Sequence, residues 1–278
     1  MQLEILEQIT SAGKKNKVNE DIIIIENNYY LILDGATGLG KQNIPNCQSD
    51  AQWFVEQFKK YFKKNISKFE IIEKIIFNTL KNIEDLYLEI VSDLPSEKYQ
   101  YPSAGMILAH KHKIDYMDFY RLGDCEAFVK SNDKIKKVFN SSYLSELDNY
   151  SIKKMQEYIK AGFSTKEARK RIMYILQNNR NKMNVKNGYW VLSIIKSDIQ
   201  NIIEHIEKIT IPIKHNDLIL LASDGYSALM DRYGKNIFQF NLKDELNIIR
   251  NIENDDNNLV KYPRLKKSDD ATALLLKV

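Results

Sequence analysis

Two short apolar runs near the start of the chain are separated by a polar break. Ile22-Ile23-Ile24-Ile25 is β-branched, Glu26-Asn27-Asn28 is suited to a turn, and Tyr29-Tyr30-Leu31-Ile32-Leu33 follows. That pattern predicts a β-hairpin. Helical spacing comes next, in Phe54, Phe58, Tyr61 and Phe62, then in Ile72, Ile75, Ile76, Ile83, Leu86 and Ile90. Strands are predicted at 106–109, 114–120, 126–129 and 135–139, with turns at Lys111-His112-Lys113 and Ser131-Asn132-Asp133. From about Ser145 to Met183 the pattern is helical and highly charged, and Ser164-Thr165-Lys166-Glu167 within it matches a capping box. Strands resume at 189–194, 209–213 and 218–222, a helix is predicted over 243–252, and 271–278 reads as a last strand.

Strand pairs joined by short turns imply antiparallel sheet, and helices in groups imply α+β rather than a doubly wound sheet. No linker, repeat or low-complexity tract interrupts the pattern. The expectation is one domain over 1–278, with a helical segment around 140–187 as its variable part.

Composition narrows the class. The chain is 44% hydrophobic and 28% charged, with a net charge of +4. So slight a charge argues against a dedicated nucleic-acid binder. The first residues lack the basic and apolar regions of a signal peptide. No stretch reaches the roughly 20 apolar residues that span a bilayer. Cys47 and Cys125 are far apart and indicate no disulfide framework. A cytoplasmic monomer with reduced thiols and no membrane partner is expected.

The chemistry sits where strands meet loops. Glu20-Asp21 opens the first strand of the hairpin and Asp34-Gly35 ends the second; Gly123-Asp124 follows another strand, Asp224-Gly225 ends 218–223, and Asp269-Asp270 precedes the last. A single Asp-Gly after a strand is usually only a turn former. Several together suit a set of oxygen ligands at one sheet edge. Oxygen-only ligands select hard cations such as Mg²⁺ or Mn²⁺. Two such ions about 3.5–4 Å apart can activate a water and clamp a phosphoryl group. Zinc fits less well, because no Cys or His group has ligand spacing.

The set Asn19-Glu20-Asp21, Asp34-Gly35-Ala36-Thr37-Gly38, Gly123-Asp124-Cys125, Ser223-Asp224-Gly225 and Asp269-Asp270-Ala271-Thr272 resembles the PPM/PP2C family of Ser/Thr protein phosphatases. The resemblance covers the chain from Gly13 to its end. It implies a four-layer αββα sandwich of two mainly antiparallel sheets flanked by helices, with two Mn²⁺ or Mg²⁺ ions between them. Asp34 would bridge both ions, the Gly35 carbonyl would serve one, and Asp224 and Asp269 the other. Glu20 and Asp21 would hold metal or its waters. The implied reaction is direct hydrolysis of phosphoserine or phosphothreonine in proteins, without a phosphoenzyme, in a role opposing a Ser/Thr kinase.

The chain also departs from that pattern. Where many members carry a phosphate-gripping Arg, it has Asn16, flanked by Lys14, Lys15 and Lys17; these lysines are the expected phosphate-binding residues. Ala36 stands where a His often follows Asp-Gly. Asp124 supplies one ligand of the family's third metal site, but Ala228 stands at the other position, so a well-formed third site is not expected. Asn178 to Asn184, ahead of Gly188-Tyr189-Trp190, is an unusual stretch that could shape a substrate groove. Two other readings share the residues: a phosphatase-like binding module with little turnover, and a phosphatase of small phosphorylated molecules. His110 and His112 read as turn residues, Cys125 as a small strand residue, and Arg264, Lys266 and Lys267 as solvated or substrate-attracting charges.

Overall fold

The computed structural model describes residues 3–113, 115–194 and 199–278. Two antiparallel sheets lie face to face. One orders β2 (Asp21–Glu26), β3 (Tyr29–Ala36), β4 (Ser103–Lys113), β5 (Tyr116–Leu122) and β9 (Glu207–Pro212), and the two-residue β8 (Leu192–Ser193) pairs with the start of β4. The other orders β1 (Glu4–Ser11), β11 (Ala271–Lys277), β10 (Leu218–Ala222), β6 (Glu126–Ser131) and β7 (Lys134–Lys137).

Both faces of the central strands are buried, which explains their unbroken apolar runs. On β3, Tyr30 and Ile32 pack between the sheets, while Tyr29, Leu31 and Leu33 face outward onto helices. On β10, Ile219 and Leu221 face inward and Leu220 and Ala222 outward. The first sheet is covered by α1 (Asp50–Ile66) and α2 (Ile72–Ile90), whose Phe54, Phe58, Ile76 and Ile83 are fully buried. Each such side chain stabilises the fold by about 1.5–3 kcal/mol relative to leaving it exposed. The second sheet is covered by α7 (Asp224–Asp231) and α8 (Leu242–Asp255) through Tyr226, Leu229, Leu246 and Ile249. Helix, sheet, sheet, helix is the expected α+β sandwich.

The charged segment is three helices: α3 (Tyr143–Lys160), α4 (Thr165–Arg171) and α5 (Met173–Arg180). Gly162, at φ +91°, turns the chain out of α3. Ser164 and Glu167 then form the expected capping box at the start of α4. A short helix, α6 (Ile199–Glu204), precedes β9. Among the described residues no helix is long and apolar enough to cross a membrane.

Some boundaries differ from expectation. β1 was not anticipated: Ile5 and Leu6 are both exposed, so the segment lacks an alternating pattern. The run 218–225 does not end in a loop; Ser223 stands at the N-cap position of α7, its Oγ accepting the Thr272 N–H, and Asp224 is the helix's first residue. The strand expected over 189–194 contracts to β8. Of the strand expected from 114, Ile114 lies outside the described residues, as does the side chain of His112.

Candidate active site

Strand periodicity points Asp34 at the gap between the sheets. It continues the inward-facing series Tyr30 and Ile32 at spacing two. Asp21 is its direct partner across β2 and β3, and Gly105 its partner on β4. A Cβ on Gly105 would lie 3.2 Å from Cys125 Sγ, a tight contact, and 3.5 Å from Asp124 Oδ1 and 3.8 Å from Asp34 Cβ, so the position stands between the two acids with the cysteine closest to it. Asp124 follows Gly123, whose φ of +82° turns the chain from β5 towards β6. From the second sheet, the Asp224 N–H at the start of α7 donates to Asp34 Oδ2 at 3.4 Å. A Cβ on Gly225 would strike the Asp270 carbonyl, so glycine here lets α7 meet the Asp269-Asp270 turn.

The neighbouring acids have different work. Asp270 accepts the N–H groups of Gly13 at 2.8 Å and Glu20 at 2.7 Å, tying the 12–20 loop to the head of β11. The Glu20 carboxylate turns to the hydroxyls of Thr37 (2.6 Å) and Ser49, the N-cap of α1. Its carbonyl accepts Gly35 N–H at 3.2 Å.

The centre is electrostatically crowded. Burial raises the pKa of Asp34 well above the carboxylate range, and Asp21, Asp224, Asp124 and Asp269 raise it further. Burial does the same to Asp124, with Asp224 and Asp148 adding to it. Asp224 is raised by burial and by Asp269. Asp21 is pushed up to about 8, by burial first and then by Asp270 and Asp269, with the nearby hydroxyls of Ser223 and Thr272 opposing them. Neither hydroxyl completes a hydrogen bond to it, so both carboxylate oxygens are buried without a hydrogen-bond partner. Asp269 goes the other way. Burial would raise its pKa, but Lys266 Nζ at 2.6 Å outweighs that and holds it below the ordinary value.

A cleft of about 210 Å³ opens over Asp34, Gly35, Asp124, Asp224 and Asp269. The sequence pattern missed Asp148, which α3 brings to this cleft; burial raises its pKa to about 6, with Asp224 contributing. It also missed the cations Arg169, Arg180 and Arg232 on the cleft walls. A lone Arg within the flagged 178–184 stretch was the available signal for Arg180. Lys14, Lys15 and Lys17 are exposed on the 12–20 loop and do not line the cleft. Asp231, close to the missing position at Ala228, is engaged by Lys137 at 3.1 Å. Arg264 is buried in contacts of its own, Cys125 is buried in the core, and Tyr189 lines the cleft. Trp190 stacks on His205 at 3.7 Å, and His110 on Tyr29 at 4.2 Å.

These residues suit hard divalent cations. The donors are oxygens, the acids outnumber nearby cations, and the orphaned Asp21 oxygens have no alternative partner. Among the described residues no three of them already form a ligand cage.

No protein-family model matches the chain, and no curated protein matches it by sequence. Solved structures do. PppA, described as a key regulatory component of T6SS in Pseudomonas aeruginosa, superposes with TM-score 0.58 at 11% identity, over 100% of this chain and 98% of that one. The catalytic domain of the serine/threonine phosphatase PstP, in complex with two manganese ions, gives TM-score 0.56 at 9% identity, over 99% and 97%. MsPP, a PPM Ser-Thr phosphatase from Mycobacterium smegmatis in complex with cacodylate, gives 0.55 at 12%, over 99% of both chains. With nearly the full length of each chain covered, the fold of this chain is that of the bacterial PPM Ser/Thr phosphatases.

Proposed function

We propose that the chain is an Mn²⁺- or Mg²⁺-dependent phosphatase that hydrolyses phosphoserine and phosphothreonine monoesters in proteins. The observation that carries this reading is the convergence of Asp21, Asp34, Asp124, Asp224 and Asp269 at one end of the two sheets, around a cleft. Buried like charges are unfavourable unless protonated or neutralised, and divalent cations relieve several carboxylates at once. Bound divalent ions lower the pKa of water and offset the charge of a phosphoryl group.

The protein's own part is to hold the oxygen donors in place. Asp34, with the Gly35 carbonyl beside it, is the central donor. Asp224 and Asp269 approach from the second sheet, and Asp21 backs Asp34 across the β2–β3 pair. Asp124 lies beside Asp34 through the Gly105 gap and marks where a further cation would be held. Asp270 fixes the strand ends, and α3 to α5 wall the cleft on one side.

The test is hydrolysis of p-nitrophenyl phosphate and of a phosphothreonine peptide with Mn²⁺, Mg²⁺ or EDTA. Turnover that requires the cation and disappears in Asp34→Asn and Asp224→Asn supports the reading. Folded, Mn²⁺-loaded protein that turns over neither substrate overturns it in favour of a phosphatase-like binding module. A marked preference for phosphorylated metabolites over phosphopeptides would keep the chemistry and move the substrate class.

A further inference from the structure

Most cations lining the cleft are already committed. Arg264 sends its N–H groups to Asp256 Oδ2 and to the carbonyls of Glu253, Asp256, Tyr262 and Lys267. Lys266 is held by Asp269. Arg169 gives Nη1 to the Leu265 carbonyl at 2.7 Å, and Arg232 lies among Asp148, Asp224 and Asp269.

Arg180, the last residue of α5, differs. One nitrogen of its guanidinium is fastened: Nη2 donates to the Ala36 carbonyl at 2.5 Å and to Ser103 Oγ at 3.0 Å. Another is not. Its Nε is buried with no hydrogen-bond partner, and among the described residues Arg180 forms no ion pair. A guanidinium keeps its proton throughout the ordinary pH range, so it cannot escape desolvation by becoming neutral. A buried donor left unpaired is unfavourable, and an anion removes that penalty. Nε shares its edge with the fastened Nη2, so the Nε–H is the donor left on that edge for one charge-assisted hydrogen bond to a phosphate oxygen. The anchor on Ala36 lies two residues from Asp34, and Arg180, Asp34, Gly35 and Ala36 line one cleft.

We propose that Arg180 is the substrate-binding residue that receives the phosphate group, Nη2 holding the strand end while the Nε–H donates to the anion. This rests on the phosphatase reading above. It gives the helical segment a share of the substrate site, in place of the exposed lysines at 14, 15 and 17.

The experiment titrates inorganic phosphate into Mg²⁺-loaded protein by calorimetry and measures phosphothreonine-peptide kinetics on the same samples. Wild type, Arg180→Gln, Arg180→Lys and a Lys14→Gln/Lys15→Gln/Lys17→Gln variant are compared. Loss of a charge-assisted hydrogen bond predicts phosphate affinity down by about tenfold or more in Arg180→Gln, with KM up in step and Mg²⁺ affinity less affected. Arg180→Lys keeps the charge but has one nitrogen to serve both the Ala36 carbonyl and the anion, so it is expected to fold and to bind phosphate weakly; it carries the test if Arg180→Gln is unstable. Wild-type phosphate affinity in folded Arg180→Lys and Arg180→Gln, or loss confined to the lysine variant, overturns the proposal and leaves the phosphatase reading standing. Wild-type protein that neither binds phosphate nor turns over overturns both.

Discussion

The acidic centre and the helical segment beside it are held in different ways. The centre is built on strand ends. Asp21 and Asp34 are register partners, Asp124 follows a tight glycine turn, and Asp224 opens a helix packed on the second sheet. All of these positions back onto large apolar clusters. The segment from α3 to α5 has a small cluster of its own, Met155, Ala168, Ile172, Ile175 and Leu176 with Leu259 from the loop before β11, and Leu147 of α3 joins the main core. Its polar ties to the body are few, such as Gln156 Nε2 to the Leu259 carbonyl at 2.9 Å, Arg169 to Leu265, and the two bonds of Arg180 to Ala36 and Ser103. Chemistry that needs fixed donors sits on the strand frame, whereas the wall over the cleft sits on a segment with less burial of its own, the kind of unit expected to open first.

The largest contrast is expected at Asp34. Asp34→Asn removes the central oxygen donor and is expected to lower kcat/KM by about 10³-fold or more. It also removes one of several repelling charges, so in EDTA the variant melts above wild type by calorimetry. A variant that melts lower in EDTA would show that the acids are not under mutual repulsion. Substitutions of Met155, Ile172 or Ile175 in α3 to α5 offer no such gain, since their contacts are apolar; Asp148 on α3, crowded by Asp224, is the exception there.

The two regions also differ in how they pass on a packing defect. Phe58→Ala, in α1, empties a fully buried site and is expected to destabilise the whole protein by about 3–5 kcal/mol. Met155→Ala removes a comparably buried side chain, worth about 2–5 kcal/mol, from the satellite cluster. If the segment opens on its own, hydrogen exchange accelerates over 143–180 while the main thermal transition hardly moves. A shift of the main transition as large as for Phe58→Ala would mean that the segment and the sandwich unfold as one unit.

The same difference governs what could be read from sequence. The sandwich was legible because its central strands carry apolar side chains on both faces and its acids fall at strand ends, as in Tyr30, Ile32 and Asp34. β1 was not, since its edge position leaves Ile5 and Leu6 exposed. Neither was α7, because Asp224-Gly225 also reads as a turn. The cleft's cations were hidden for another reason. Arg180 meets Ala36 across 144 positions, and α3 carries Asp148 to Asp124 and Asp224 from between them in sequence. Periodicity reports which side of an element is buried, not which distant element it meets.

The smallest expected effect is at the start of α4. Ser164 Oγ accepts Glu167 N–H at 3.3 Å, and Glu167 Oε2 accepts Ser164 N–H at 3.0 Å, so the pair satisfies two donors that the helix end leaves free. Ser164→Ala is expected to cost about 1 kcal/mol, felt within α4. Arg169 sits in that helix, on the cleft wall, and its anchor on Leu265 depends on the helix being formed. Fraying α4 therefore loosens one wall of the cleft without touching a carboxylate. Exchange of the α4 amides rises in Ser164→Ala, while cation affinity by calorimetry stays at the wild-type value. A fall in cation affinity would instead mean that the segment and the acidic centre are coupled through more than Arg180, and that the division between rigid frame and separable wall is drawn in the wrong place.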